Sequence, residues 1–307
     1  MIVVAGFNSA VDRLIEIPTL RAGEVQRGRL TAVRPGGKGV HVAQTIAALG
    51  EVVHLVGLND DAGAAMFDRH MRARGVLFHG VRASVPLRQC VAIVEADGRT
   101  TEVLEEGTDV GQAVRDALDV TLRETALQAD AVVCTGSLPP GFAPDYYAGL
   151  ATHLHVPCLI DASGSALQAA ADASPFLLKP NRDEASHLAG YAVDSPTRAA
   201  TLVRELLARG VQHPVVTLGG LGAVGAEDGE MWHVSLNVDG VRHAVGSGDC
   251  FLAGLTVGLL RGEGMARALR LAVACGAANA LNDETGFVRI DTVRGLQPQV
   301  RVRRLDE

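Results

Sequence analysis

The chain has 307 residues, of which 48% are apolar and 21% are charged, and its formal net charge at pH 7 is −7. This composition is typical of a globular protein, and the negative charge argues against a nucleic-acid or anionic-membrane partner. No segment approaches the ~18 apolar residues of a spanning helix. We therefore expect no membrane insertion. The five scattered cysteines have no metal-binding spacing, so we expect reduced thiols and a cytoplasmic location.

Short apolar runs alternate with helix-like segments along most of the chain. The predicted strands are nearly all apolar, as strands covered on both faces should be, and they span residues 2–7, 52–56, 131–134, 157–160, 176–178 and 214–218. The predicted helices span residues 40–49, 62–74, 114–128, 197–209 and 265–280. This alternation predicts an α/β fold with an open, mostly parallel sheet flanked by helices.

Two stretches, residues 11–36 and 85–107, break the alternation because they contain no convincing helical pattern. Polar and apolar residues alternate in both, and Asp97-Gly98 predicts a hairpin turn in the second. We predict that the two stretches form a small antiparallel β-sheet that acts as a lid, although two plain surface hairpins would give the same pattern. Residues 1–10, 37–84 and 108–307 then form the α/β core.

The strongest motif is Gly246-Ser247-Gly248-Asp249, which leads directly into an apolar helix. The N–H groups and the positive dipole at the start of such a helix form a binding site for anions. Asp249 lies in the first turn, where an aspartate by itself stabilises a helix by a few tenths to ~1 kcal/mol. The functional interpretation is that Asp249 is a general base beside a phosphoryl group held by the loop.

The chain has 26 arginines but only two lysines, and both lysines lie in loops. Lys38 follows Gly36 and Gly37 before a predicted helix, and a Walker A loop is excluded because glycine follows the lysine. Lys179 follows a predicted strand. A compact ammonium group beside glycine-rich backbone indicates phosphate binding, although two lysines could also fall in these loops by chance.

Two further motifs follow predicted strands, at the edge where open α/β sheets bind ligands. The first is Lys179-Pro180-Asn181-Arg182-Asp183-Glu184, in which Asn181 and Glu184 could also form an imperfect capping box. The second is Thr217-Leu218-Gly219-Gly220-Leu221-Gly222, which taken alone favours a hairpin over a nucleotide site.

The order and spacing of these four motifs resemble the PfkB, or ribokinase-like, family of carbohydrate kinases over nearly the whole chain. The Gly-Gly-x-Gly motif at 36–39 and the Gly-x-Gly-Asp motif at 246–249 match its two signatures. Stretches at 100–102, 136–141, 161–164 and 178–181 resemble the branch that contains 1-phosphofructokinase and tagatose-6-phosphate kinase. The resemblance implies a ribokinase-like fold whose β-sheet lid covers the substrate and in many members also forms a homodimer interface.

The resemblance also implies roles for the matching positions. Asp249 resembles the catalytic base, Gly246, Ser247 and Gly248 resemble the anion hole, and Glu184 resembles a residue that organises Mg²⁺ through water. The implied ATP contacts are Lys179, Asn181, Thr217, Gly219, Gly222 and Asn279. The implied sugar or sugar-phosphate contacts are Asp12, Gly36, Gly37, Lys38, His41, Arg88 and Ser137. Whether a monovalent cation is also required stays open.

The predicted activity is therefore ATP-dependent phosphorylation of a sugar phosphate, of the fructose 1-phosphate, fructose 6-phosphate or tagatose 6-phosphate type, giving a bisphosphate and ADP. The alternatives are a ribokinase-like kinase for an unphosphorylated sugar or nucleoside, and a non-catalytic sugar sensor. The sequence departs from the family at Asn8-Ser9, at His41 and at residues 104–107, all on the sugar side. His41 replaces an asparagine that contacts the sugar in the family, and hydrogen-bonding sites can discriminate between substrates by ~10⁴ or more.

Overall fold

A computed structural model describes residues 1–305 of the chain. Its strands, in chain order, are β1 (Ile2–Ala5), β2 (Ala10–Ile17), β3 (Arg29–Gly36), β4 (Val53–Asn59), β5 (Val76–Arg82), β6 (Arg88–Glu95), β7 (Thr100–Leu104), β8 (Ala131–Thr135), β9 (Cys158–Asp161), β10 (Leu177–Leu178), β11 (His213–Thr217), β12 (Ala223–Glu227), β13 (Glu230–Ser235) and β14 (Arg301–Leu305).

Ten α-helices connect or cover these strands within the described residues. They are α1 (Lys38–Ala48), α2 (Ala64–Ala73), α3 (Gln112–Ala126), α4 (Tyr146–His153), α5 (Gly164–Asp172), α6 (Arg182–Ala189), α7 (Pro196–Ala208), α8 (Ser247–Leu260), α9 (Met265–Ala280) and α10 (Ile290–Leu296). None of the helices found in residues 1–305 is long and apolar enough to cross a membrane.

The large sheet has ten strands in the order β14-β13-β12-β11-β10-β9-β8-β1-β4-β5. The seven strands from β11 to β5 run parallel, and β12, β13 and β14 pair antiparallel to their neighbours. Strands β1, β8 and β9 are buried along their whole length because helices cover both faces. The carboxyl ends of the parallel strands therefore meet at one edge, where loops can build a site.

The small sheet contains four strands in the order β3-β2-β6-β7. Both stretches without predicted helices contribute two strands each, so the predicted second sheet is present. Its predicted antiparallel pairing is only partly correct, because the central strands β2 and β6 run parallel, with Ala10 opposite Arg88. The two hairpins leave the core side by side in the same direction, and this makes their adjoining strands parallel.

The predicted fold class is confirmed: an open, mostly parallel α/β sheet carries a separate small sheet. All six predicted strands and all five predicted helices are present, with ends shifted by a few residues. No strand or helix is predicted after residue 280, whereas the structure has α10 there and then β14, whose residues pair with β13. The five cysteines are free and buried, as predicted.

Candidate active site

A cavity of about 300 Å³ separates the small sheet from the carboxyl-end edge of the large sheet. Most of the predicted site residues line it: Asp12, Gly37, Lys38, His41, Arg88, Lys179, Asn181, Thr217, Gly246, Gly248 and Asp249. The other predicted residues lie outside its wall: Gly36, Ser137, Glu184, Gly219, Gly222, Ser247 and Asn279. Residues that are far apart in the sequence thus converge on one space.

The N-terminus of α8 opens into this cavity. Gly246 precedes the helix in the left-handed conformation, with φ 77°, which glycine adopts without the cost that a Cβ would bring. Within residues 1–305, the N–H group of Gly248 has no hydrogen-bond partner, so it can donate to an anion. Asp249 is in the same first turn and is 6% exposed. A carboxylate and an anion-binding backbone group therefore lie side by side.

Asn279 holds the α8 loop from behind rather than lining the cavity. It is fully buried in α9, and its Nδ2 donates to the carbonyl oxygen of Val245 at 2.8 Å and to Ser247 Oγ at 2.9 Å. The N–H group of Phe287 donates to its Oδ1 at 3.3 Å. These bonds fix the shape of the loop, although the family resemblance implies a nucleotide contact at Asn279.

The two lysines of the chain meet at one carboxylate that the sequence analysis had not assigned to the site. Lys179 Nζ lies 3.3 Å from Asp161 Oδ1, and Lys38 Nζ lies 3.6 Å from Asp161 Oδ2. Asp161 and Lys179 are almost completely buried, whereas the side chain of Lys38 is 39% exposed and faces the cavity. Asp161 ends β9 and thus sits at the ligand-binding edge of the sheet.

Charges within this triad of Asp161, Lys38 and Lys179 explain the pKa shifts of Asp161 and Lys38. Burial raises the pKa of Asp161, but the charges of Lys179 and Lys38 outweigh burial and keep that pKa below its ordinary value. The charge of Asp161 raises the pKa of Lys38 above its ordinary value. The triad therefore carries a net charge of +1 at neutral pH, and Lys38 is the member that can offer it to a phosphate.

The start of α6 shows a complete capping box. Asn181 Oδ1 accepts from the N–H groups of Asp183 and Glu184 at 2.9 and 3.0 Å, and Glu184 Oε2 accepts from the N–H of Asn181 at 2.8 Å. Burial and the charge of Asp161 raise the pKa of Glu184. Asn181 and Glu184 thus have the structural role considered for them, and Asn181 also lines the cavity.

The residues predicted to contact the sugar cluster where the small sheet joins the α/β core. A Cβ on Gly36 would lie 1.9 Å from the carboxyl carbon of Asp12, so only glycine leaves room for that carboxylate. Arg88 Nε donates to the carbonyl oxygen of Asn8 at 3.1 Å. Asn8 Nδ2 donates to Ser137 Oγ at 2.9 Å. Arg88 lines the cavity itself, whereas Ser137 lies outside the cavity wall and is connected to Arg88 through Asn8.

His41 lies between two carboxylates that face the cavity, that of Asp12 on the small sheet and that of Asp249 in the first turn of α8. Its Nδ1 is 2.9 Å from Asp249 Oδ2, and its Nε2 is 3.2 Å from Asp12 Oδ2. The ring is 6% exposed. Both ring nitrogens therefore lie within hydrogen-bond distance of a carboxylate oxygen.

The turn after β11 is a hairpin, as its sequence taken alone favoured. Thr217 bridges to Asn181 and lines the cavity, whereas residues Gly219–Leu221 form a 3₁₀ turn before β12. A Cβ on Gly222 would lie 1.8 Å from the carbonyl oxygen of Val234. Gly222 is thus required by the close approach of β13, whether or not a nucleotide also contacts it.

A family model described as pfkB family carbohydrate kinase matches residues 3–292. The chain belongs to the pfkB family of carbohydrate kinases. Escherichia coli phosphofructokinase-2 in complex with substrates and products is 26% identical, covers 97% of this chain and 98% of its own, and superposes with a TM-score of 0.88. The same enzyme in complex with potassium is also 26% identical, covers 97% and 98% of the two chains, and has a TM-score of 0.86.

A Thermotoga maritima protein described as a possible 1-phosphofructokinase shares the fold of this pfkB family kinase. It is 19% identical, the match covers 99% of each chain, and the TM-score is 0.89. Asp161 was not among the predicted site residues, although a carboxylate at the end of an apolar strand is a recognisable signal for the ligand-binding edge of the sheet.

Proposed function

We propose that this pfkB family kinase transfers the γ-phosphoryl group of ATP to a hydroxyl of a sugar phosphate, giving a sugar bisphosphate and ADP. The supporting observation is that Asp249, at the anion-binding end of α8, shares one cavity with cationic side chains from the small sheet and α1. A sugar phosphate can place its hydroxyl at Asp249 and its own phosphate near Lys38 and Arg88. A sugar sensor would need no such pairing of base and anion hole.

The residues present fit a triphosphate accompanied by Mg²⁺. Phosphate oxygens would find the Gly248 N–H group and the Lys38 ammonium group, and Mg²⁺ usually binds one or two carboxylates, waters and phosphates rather than a protein cage. Residues 1–305 contain no cluster of three or more His, Cys, Asp or Glu side chains that could hold a metal ion. When bound, Mg²⁺ would neutralise charge on the phosphates, with Glu184 holding it through water. The similar Escherichia coli phosphofructokinase-2 was solved in complex with potassium, which supports a monovalent cation as an additional cofactor to test.

The protein itself supplies the acid–base chemistry and the exclusion of water. Asp249 accepts the hydroxyl proton as the acceptor oxygen bonds to the γ-phosphorus. The loop N–H groups hold the charge that develops on the transferring group. The small sheet closes over the sugar and keeps out water, which would otherwise compete as the acceptor.

A variant of Arg88 tests whether the substrate carries a phosphate. We expect Arg88→Ala to raise KM for the sugar phosphate by about 10- to 100-fold, because a charge-assisted hydrogen bond is lost. KM for the matching free sugar should change much less. The measurement is steady-state ADP release with each member of the pair, on the same preparation of the variant.

Comparing two substrates in one variant separates recognition from folding. Arg88 also bonds to the carbonyl oxygens of Asn8 and Glu105, and any loosening of the lid would affect both substrates alike. Equal losses on the sugar phosphate and the free sugar would contradict the proposed phosphate contact and favour a kinase for unphosphorylated sugars.

We also propose that residues 11–36 and 85–107 form the substrate lid and that its outer face joins two copies of the chain. One row of paired residues across the four strands consists of Val33, Arg13, Val91 and Val103. Because neighbouring residues of a strand alternate between the two faces, this row lies on the face opposite to that of Asp12, which faces the cavity. Both valines are exposed, at 41% and 59%. Exposed apolar side chains in a row of an open sheet favour a covering partner.

A double variant tests this homodimer. Val33→Glu with Val103→Glu should convert the wild-type dimer into a monomer, because pairing would bury unpaired carboxylates. Mass by light scattering during size-exclusion chromatography measures the change. Leu127→Glu, at an exposed position after α3, is the matched control and should stay dimeric. A monomeric wild type, or a double variant that stays dimeric, would contradict the proposed interface.

A further inference from the structure

The bridging geometry of His41 defines its protonation state. Carboxylate oxygens accept hydrogen bonds, and a neutral imidazole has only one N–H donor. Since Nδ1 and Nε2 both lie within hydrogen-bond distance of carboxylate oxygens, both can donate only when the ring is an imidazolium. Burial lowers the pKa of His41, but its hydrogen bonds to Asp12 and Asp249 outweigh burial and raise that pKa to about 10.

Other titratable and charged groups lie near the ring of His41. Glu102, on β7, interacts favourably with the imidazolium. His70, on α2, interacts unfavourably with it, but burial lowers the pKa of His70, so that ring is neutral at pH 7. Arg74, Glu284 and Arg34 also lie near His70, and Glu284 pairs with both arginines, at 2.5 Å and 3.5 Å, so these three groups carry a net charge of +1 that also lowers the pKa of His70. Lys38, on the same helix, points toward Asp161.

The backbone holds the ring in one place. Gly286 lies flat against it, and a Cβ on Gly286 would come within 2.1 Å of His41 Cγ and Cδ2. Gln44 Nε2 donates to the carbonyl oxygen of Gly286 at 2.6 Å and ties the loop to α1. Gly246 packs against Gly286, since an added Cβ on Gly246 would be 2.5 Å from Gly286 N and 3.5 Å from His41 Nδ1. Two glycines thus form the slot that the ring occupies.

We propose that His41 is a charged positioning residue that ties Asp12, the predicted sugar contact, to Asp249, the predicted base, and that it neither binds the sugar nor exchanges a proton during turnover. This inference rests on the proposed kinase function and deepens it. Both ring nitrogens are occupied, so the sugar contact made by asparagine in the family is absent here. The imidazolium instead fixes the distance between the group that orients the sugar and the group that takes its proton.

His41 neither gives nor takes a proton in the phosphoryl-transfer step. The acceptor oxygen forms a bond to the γ-phosphorus of ATP, and the bond from that phosphorus to the β,γ-bridging oxygen breaks. ADP leaves with that electron pair, and the hydroxyl proton moves to Asp249. Because Oδ2 of Asp249 already accepts the N–H of His41, Oδ1 is the atom that takes the proton.

A titration of the ligand-free enzyme tests the charge directly and does not depend on knowing the sugar. NMR of ¹⁵N-labelled histidine side chains gives the protonation of each ring, and His41→Gln identifies the His41 signals by difference. We expect both His41 nitrogens to be protonated at pH 7.5 and to lose a proton only near pH 10. A His41 ring that titrates near its ordinary pKa of 6.5 would overturn the proposal.

Kinetics tests the positioning role. His41→Gln and Gly286→Ala, which removes the slot for the ring, should each lower kcat by about 10²-fold, as misplaced catalytic groups do, with little change in KM for the sugar. The wild-type kcat should fall as pH rises through about 10, and His41→Gln should lack that decline. His54→Gln, on the half-buried pair with His79, is the control and should match the wild type.

The outcomes separate this inference from the proposed function. If the enzyme phosphorylates only unphosphorylated sugars, the proposed substrate is wrong, while a protonated His41 and the loss of kcat still support the inference. If a sugar phosphate is the substrate but His41→Gln raises KM for it and keeps the wild-type kcat, His41 is a sugar contact and only the inference fails. Circular dichroism of each variant confirms that the compared proteins are folded.

Discussion

Asp249→Asn is expected to lower kcat by on the order of 10³-fold, because the acceptor hydroxyl loses its general base. Asparagine keeps the shape of the side chain and can still bond to His41 Nδ1, so the cavity should stay intact. Binding of ATP, measured by calorimetry, should be close to that of the wild type, since the N–H groups of the loop belong to the backbone. ADP release in the presence of the sugar phosphate measures the loss of turnover.

The competing interpretation of Asp249 is that a first-turn aspartate merely stabilises α8. Asp291 provides the matched control, because it is an acidic first-turn residue of α10 whose side chain is 93% exposed. Asp291→Asn should keep the wild-type kcat. If Asp249→Asn instead loses only stability and keeps its turnover, Asp249 is not the base.

Asp161→Asn is expected to lower the free energy of unfolding by about 3 kcal/mol at pH 7, because it leaves the buried Lys179 ammonium group without its counter-charge. The side chains of Asp161 and Lys179 are only 2% and 3% exposed, so water cannot replace the lost partner. Urea denaturation followed by circular dichroism measures the change. Turnover should fall as well, since Lys38 loses the carboxylate that positions it.

The pH dependence of this effect has a definite sign. The folded-state pKa of Asp161 lies below its ordinary value, so its contribution to stability is present above the unfolded pKa of about 3.9 and is lost as pH falls through the folded pKa. The difference between wild type and Asp161→Asn should therefore be constant from pH 5 to 8 and shrink in stronger acid.

An exposed ion pair provides the control for the buried Asp161. Asp172 pairs with Arg209 at 3.8 Å and its side chain is 65% exposed, so Asp172→Asn should cost no more than about 1 kcal/mol. If the two variants lose similar amounts of stability, the buried triad does not stabilise the fold in the way proposed.

Local patterns were sufficient to predict most of the fold. Buried parallel strands such as β8 are almost entirely apolar, and glycines after helices such as α7 mark the helix ends, so both can be read from neighbours in the sequence. The parallel pairing of β2 with β6 could not be read in this way. It depends on how two hairpins leave the core, which no short window of sequence records.

In the candidate site, too, some features could be predicted from neighbouring residues and others could not. Gly246 and Asp249 lie within one short loop of the sequence, so that loop could be interpreted as an anion site from its residues alone. Lys38 and Lys179 are 141 positions apart, and their rarity singled out two loops without indicating that both reach Asp161. The contact of His41 with Asp12 and Asp249 likewise depends on three separate elements that only the folded chain brings together.

The most direct test of the proposed function is ADP release by the wild-type enzyme with ATP and Mg²⁺ across a panel of sugar phosphates, each paired with its unphosphorylated sugar, with nucleosides included. Phosphorus NMR of the product identifies any bisphosphate formed. The proposal predicts that one sugar phosphate is converted to a bisphosphate with a kcat/KM at least about 10²-fold above that of its free sugar, as the loss of charged hydrogen bonds implies. Preferred turnover of an unphosphorylated sugar or a nucleoside, or no ADP release with any acceptor, would contradict it.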